Sequence, residues 1–181
     1  MLSSVPEGYK GKATFKTDCG WDGTATEPSW ADTFLPACGW VKSGQVFSPT
    51  TEAPGSNVKT ITIGCYVDGM FKSLKGCSGT FKLVCPTGKM AYIEWEFSGV
   101  WVTPSDVSIV SPTYPTAKPL RYANSTTTWN SIALCLSNLT LDAGNEVTML
   151  ECASGDGFAY GIITNRVSKV TGDPETKLVA S

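Results

Sequence analysis

The chain contains no histidine. A Ser-His-Asp triad and a cysteine–histidine pair are therefore impossible, and the commonest protein ligand for transition metals is missing. The seven cysteines (19, 38, 65, 77, 85, 135 and 152) include no CxxC. The closest pair, Cys77 and Cys85, matches no zinc spacing, so neither a metal nor a cofactor is expected. Charge is also scarce, at 17% of residues and a net −2. Soluble domains average about 25% charged residues. No Lys/Arg run supplies the clustered basic surface that phosphate binding needs, which argues against a nucleic-acid-binding protein. No segment approaches the roughly 18 uninterrupted apolar residues of a membrane span. The opening MLSSVPEGYKGK lacks an apolar h-region, so no secretory signal is visible and the expectation is a soluble chain made in the cytoplasm. Without secretion, the cysteines are expected to be reduced, small, buried hydrophobes.

What is present favours β-structure. At 181 residues, 41% apolar and 10% aromatic, the chain suits one domain, 1–181, able to bury roughly 70% of its unfolded surface. Eighteen glycines and 11 prolines, with many Thr and Ser, indicate a domain rich in turns. From Cys65 to Val102 the sequence reads as three or four short strands separated by glycine turns. Residues 90–97 alternate strictly: Ala91, Ile93, Trp95 and Phe97 fall on one face, Tyr92, Glu94 and Glu96 on the other. A strand with so bulky an apolar face needs a second layer, so the fold class expected is all-β, a sandwich or barrel.

The remaining elements follow from local signals. Gly11 to Thr17 reads as a first strand, followed by a turn at Asp18 to Gly23. Pro28 to Leu35 reads as one short helix capped by Ser29 with Asp32 three residues on, its Trp30 and Phe34 sharing a face; Pro36 and Gly39 limit it. Residues 44–55 read as a Pro/Thr loop before a strand from Asn57 to Gly64. Asp68-Gly69 is a strong hairpin signal and Thr87-Gly88 a second turn. Residues 103–119, with four prolines, read as an extended crossing loop. Strands are expected at Trp129–Cys135, Asn138–Leu141, Glu146–Cys152 and, last and longest, Phe158–Val167. Asp142–Asn145 and Gly172–Glu175 are read as turns.

Few residues invite a catalytic reading. Glu94 and Glu96 lie about 7 Å apart on one strand face, a separation a glycosidase could use, but the solvated face of a half-buried strand is the simpler account. Ser78 in Gly76-Cys77-Ser78-Gly79 is one residue short of a nucleophile elbow. Gly76 and Gly79 read better as bend or close-packing positions between strands. Gly155-Asp156-Gly157 is a turn without the lysine and helix of a phosphate loop. The sequons at Asn124 and Asn138 are read as coincidence in a Thr-rich chain. Six tryptophans could mark a sugar-binding surface, but Trp95 and Trp30 sit on apolar faces suited to a core.

Several segments together resemble the tail tube (major tail) proteins of long-tailed bacteriophages. They are the helix running into Phe34-Leu35-Pro36-Ala37-Cys38-Gly39-Trp40, the turn Asp68-Gly69, and the run Leu74-Lys75-Gly76-Cys77-Ser78-Gly79-Thr80. Gly88-Lys89-Met90, Phe97-Ser98-Gly99, Ile163-Thr164-Asn165-Arg166 and Gly172-Asp173-Pro174-Glu175 follow in order. The resemblance covers about Thr14 to Glu175. It implies a sandwich or barrel with one packed helix, in a non-enzymatic virion protein built in the host cytoplasm. Six copies would close a ring, and stacked rings would form the channel that DNA traverses. The partners implied are copies of the chain and other tail proteins, with DNA passing only transiently and no membrane. Phe158–Val167 is the edge expected to join subunits, with Ile163, Arg166, Asp173 and Glu175 at the interface and Glu94 and Glu96 facing the lumen. The chain shows no obvious long hairpin insertion, so loops 44–55 and 103–119 are expected to touch the neighbouring ring. The alternatives are a capsid decoration or tail-completion protein, a carbohydrate-binding module and, last, a Glu94/Glu96 hydrolase.

Overall fold

A computed structural model describes residues 8–21, 28–44, 46–50, 52, 55, 58–112, 118–153 and 157–174. The elements in chain order are β1 (Lys10–Asp18), α1 (Ser29–Ala37), β2 (Trp40–Ser43), β3 (Val46–Pro49), β4 (Ile61–Val67), β5 (Met70–Pro86) and β6 (Tyr92–Asp106). There follow β7 (Thr127–Trp129), β8 (Ile132–Leu134), β9 (Leu136–Asp142), β10 (Asn145–Glu151), β11 (Phe158–Arg166) and β12 (Lys169–Pro174). The fold is mainly β, with one short helix and antiparallel sheets that do not close into a barrel among the described residues.

The two longest strands, β5 and β6, form the axis of the main sheet, whose order is β1-β6-β5-β9-β12, with β4 also on β5. β4 pairs with the first half of β5 and β9 with its end, on the flank away from β6. The sequence suggested three or four short strands here. Instead β5 runs unbroken for 17 residues, because Gly76 (φ 61°) absorbs a register shift between Lys75 and Ser78 rather than ending the strand. Gly79 is a close-packing position: a Cβ there would lie 2.5 Å from the Glu96 carbonyl oxygen and 2.4 Å from the Phe97 ring.

The alternating pattern of β6 is realised as written. Ile93, Trp95 and Phe97 are buried, the last two completely. Phe15 of β1 stacks on Phe97 and Phe81 of β5 packs on Trp95. Phe34 of α1 closes this layer, its ring 5.1–5.8 Å from those of Phe15, Trp95 and Phe97. The Trp95 indole, enclosed in that layer, donates to Thr17 Oγ1 at 2.8 Å, as a buried Trp N–H requires. Full burial of such rings is worth about 1.5–3 kcal/mol each, so this aromatic layer is what fixes α1 to the sheet. β10 and β11 form a separate ribbon on the side of the sheet that bears Ser78 and Thr80.

Several boundaries differ from the sequence reading. Pro28, not Ser29, is the N-cap; no side chain caps the helix, and the Pro28 carbonyl accepts from Ala31 and Asp32. Pro36 lies inside the last turn rather than ending it, and Gly39 (φ 70°) follows in the left-handed conformation. Part of the 44–55 loop is β3, hairpinned onto β2. β6 continues to Asp106 through Pro104, tolerated because β1 begins opposite Val100 and, among the described residues, no strand pairs with this end of β6 on that side. Val107 lies beside Gly69, whereas Pro119 and Arg121 lie at the far end of the sheet, bridging Gly20 and Met90; residues 113–117 of the expected crossing loop are outside the described residues. Trp129–Cys135 is not one strand but the hairpin β7–β8, turned at Asn130 and Ser131, both at positive φ. Gly172–Pro174 is not a turn but the end of β12, so Phe158–Arg166 is not the last strand. The turns expected at 18–23 and 155–157, the start of the strand at Asn57, and Glu175 fall wholly or partly outside the described residues.

Replacing Gly79 with alanine forces the methyl group into the Glu96 carbonyl and Phe97 ring. The expected loss of stability is about 2 kcal/mol, read from urea denaturation of wild type and Gly79→Ala.

Candidate functional site

Three features bear on what the chain does: a charged sheet face, two sheet edges left unpaired among the described residues, and an internal clamp around Arg166. The first follows from register. Lys16 of β1 pairs with Glu94 of β6, Glu94 with Lys82 of β5, Lys82 with Asp142 of β9, and Asp142 with Lys169 of β12. A row of alternating sign thus crosses all five strands. Lys16 Nζ lies 2.7 Å from Glu94 Oε1, and Lys82 Nζ 3.9 Å from Asp142 Oδ2. One step along, Lys12 meets Glu96 at 2.7 Å. The hydrogen bond and charge of Glu94 push the Lys16 ammonium up from its ordinary value. Pairs this exposed stabilise little, typically about 0–1 kcal/mol each; their effect is to place an acid beside each of Lys12, Lys16 and Lys82. Glu94 and Glu96, offered by the sequence as a carboxylate pair, are each matched to a lysine on β1.

The second feature is the pair of edges. Among the described residues β1 pairs only with β6 and β12 only with β9. All six residues of β12 are exposed, and β1 alternates exposed and half-buried along its length. Asp173, near the end of β12, accepts a hydrogen bond from Ser137 at 2.9 Å. Val170 is 61% exposed on the same edge.

The third is internal. Between the ends of β4 and β9, no strand among the described residues pairs with the flank of β5 at Gly79–Phe81. Ala143 N–H donates to the Phe81 carbonyl, and Asn145 Nδ2 to the carbonyls of Gly79 (2.9 Å) and Cys38 (2.8 Å). Arg166 then donates to Asn145 Oδ1 at 2.7 Å, to Thr50 O at 3.2 Å, and to Cys38 O and Gly39 O at 3.2 and 3.1 Å. Four of its five N–H donors are spent inside the subunit. The guanidinium sits at the C-terminal end of α1, where carbonyls lack partners and the dipole is negative. Burial lowers its pKa, with the nearby Cys38 opposing. Ile163 packs beside Gly39 in this group: a Cβ on Gly39 would come 2.9 Å from Ile163 Cδ1 and 2.5 Å from the guanidinium. Arg166 and Ile163, expected at a subunit interface, are thus brought together around α1, while Asp173 stands apart on the exposed edge. An open groove of about 630 Å³ beside them is lined by Thr50, Ile163, Asn165 and Arg166 among others.

Other sites read from sequence resolve as packing. Ser78 is buried and its hydroxyl donates to Gly161 O at 2.6 Å, pinning β11 to β5. The cysteines do not behave alike: Cys38, Cys77 and Cys85 are buried, but Cys65 and Cys135 are exposed. Burial pushes the Cys38 thiol up strongly and that of Cys77 to about 11. Trp30, Trp40 and Trp101 pack against the core rather than forming a platform. Asn145 was the residue most missed by sequence reasoning; a lone asparagine after Ala143-Gly144 carries no local sign of its reach to Cys38. No protein-family model matches the chain, and no curated protein matches it in sequence.

Two measurements check the clamp and the thiols. Arg166→Lys, which keeps the charge but loses the planar fork, is expected to lower stability by about 1–3 kcal/mol through the carbonyls left unpaired; a melting temperature within error of wild type would contradict the clamp. In native protein at pH 8, a maleimide should modify Cys65 and Cys135 while Cys38 and Cys77 react only after unfolding, as peptide mass mapping would show.

Proposed function

We propose that the chain is a structural subunit that works by assembling with copies of itself, of the kind that forms a phage tail tube. The observation that carries this reading is the open main sheet, whose strand order ends, among the described residues, in two unpaired edges on opposite sides, the longer β1 and the shorter β12. Unpaired edge groups are templates for another chain. When the two edges of one sheet are different surfaces, pairing edge to edge between copies is heterologous, and rotation closes it into a ring. Six copies closed in this way give a channel walled by sheet, as the sequence resemblance implies, and such a subunit belongs in the tail of a virion after assembly in the host cytoplasm.

The charged face suits the channel wall. Glu94 and Glu96 would face the lumen together with the lysines that neutralise them, so passing DNA meets no cluster of free cations to arrest its phosphates. At the subunit contact, Asp173 stands on the joining edge; Glu175, the other acid expected there, lies outside the described residues. Ile163 and Arg166 serve the contact from behind, by holding α1 and the start of the β12 segment in place. A non-enzymatic role is supported by the lack of histidine, by the enclosed hydroxyl of Ser78 and by the pairing of both strand carboxylates with lysine.

Negative-stain microscopy of the concentrated protein should show rings or hollow tubes, and a uniform monomer would count against the proposal. Val170→Lys places a charge on the joining edge at a position already open to solvent. It should leave the melting temperature unchanged and abolish ring formation; rings as abundant as in wild type would show that β12 is not the joining edge.

A further inference from the structure

The main sheet has two ends as well as two edges, and the ends differ in charge. At one end the β4–β5 turn, Asp68-Gly69, lies beside the end of β6, where Met70 pairs with Asp106 and Val107 N–H bonds the Gly69 carbonyl. Among the described residues this tip extends beyond β1, whose first residue, Lys10, pairs with Val100. It exposes Tyr66, Val67, Met70 and Val107, each 39–47% accessible, between two acids, Asp68 and Asp106. The nearest cation on these strands, Lys72, is half-buried two residues back along β5. The other end, roughly 50 Å away for strands of this length, is the β5–β6 turn with the chain that bridges it at Arg121. Here Met90 (55%) and Leu120 (48%) are exposed among three cations, Lys89, Lys118 and Arg121. Arg121 donates through Nε to Gly88 O. Asp18 and Asp173 stand on the flanking strands, but among the described residues neither forms an ion pair with these cations. Asp68, Asp106, Lys89 and Lys118 likewise have no ion-pair partner among the described residues.

We propose that these two ends are complementary docking surfaces for a second copy of this chain, the acidic apolar tip of one subunit meeting the basic turn of the next. Each end offers large exposed apolar side chains that water leaves uncovered, and the charges flanking them are opposite in sign, which favours this head-to-tail register over tip-to-tip or turn-to-turn contact. The two surfaces are different, so the contact is heterologous. With the strands aligned it does not close and generates a linear stack. The proposal rests on the self-assembly reading. Within that reading it assigns the contact between layers to the ends of the β5–β6 ribbon, with Val107 and Lys118 from the two ends of segment 103–119, rather than to loop 44–55.

The test is a charge swap between the ends. The tip variant carries Val67→Lys and Asp106→Lys, and the turn variant Lys89→Glu and Lys118→Glu, which keeps Arg121 and its bond to Gly88. All four positions are exposed, and circular dichroism verifies that both variants are folded. Elongation of the assembly is followed by sedimentation velocity and electron microscopy. Wild type should form elongated stacks. Each variant alone should lose them, with association weaker by roughly tenfold or more, and an equimolar mixture should regain them, because the basic tip now meets the acidic turn. Stacks unaffected in either variant, or a mixture that fails to recover, would overturn the proposal while leaving ring formation intact. Flat rings that never stack in wild type would do the same. End-to-end chains without rings would support the end contact and overturn ring closure, and a monomer at all concentrations would overturn both.

Discussion

An antiparallel sheet that does not close must leave a row of backbone N–H and C=O groups on each outer strand. At the two ends of the strand order β1-β6-β5-β9-β12 that constraint falls, among the described residues, on β1 and β12; β4, paired only with β5, leaves a third edge beside them. Proteins that stay monomeric blunt such edges with prolines, bulges, short strands or covering loops. β12 is short and carries a bulge before Pro174, whereas β1 is nine residues long, regular in register and without proline or bulge. The molecule therefore keeps one fully usable edge and one that a partner strand could meet over its first few residues. Ring closure through unlike edges, as proposed above, would satisfy both.

The interior is organised so that those edges can stay open. Stability comes from the aromatic layer of Phe15, Phe34, Phe81, Trp95 and Phe97, and from the Asn145–Arg166 network that fills the unpaired flank of β5. Neither depends on what binds β1 or β12. The network joins segments as far apart as Cys38 and Arg166, 128 residues in sequence, and so ties the helix, the β10–β11 ribbon and the long strand into one rigid unit. A rigid subunit loses little conformational entropy on association, and that lowers the cost of repeated contacts.

Much of this was legible in the sequence, for physical reasons that also mark the limits. The period-two run from Ala91 to Phe97 is decisive because burial on one face leaves no freedom of register. Asp68-Gly69 adopts the positive φ values (49° and 79°) that made it a hairpin signal. Gly76 and Gly79 read from sequence as bend and close-packing positions, and they are; what the sequence leaves open is that the strand continues through both, because nothing local shows whether the chain on either side of such a glycine is one strand or two. β3 and β12 were hidden by prolines that lie at strand ends, where the missing N–H is tolerated. Of the candidate site residues, Glu94 and Glu96 were placed on the right face, but the lysines that pair with them lie about 80 residues away in β1. The role of Arg166 inside the subunit was invisible for the same reason: its partners are backbone carbonyls from distant segments.

The central claim, that the open edges of the main sheet are where copies of the chain join, is tested most directly by amide hydrogen exchange at low and high protein concentration. The account predicts that Lys10–Asp18 and Lys169–Pro174 gain protection together as concentration rises, while β5 and β6, already paired on both flanks over much of their length, change little. Assembly with exchange in both edge strands unchanged would contradict it.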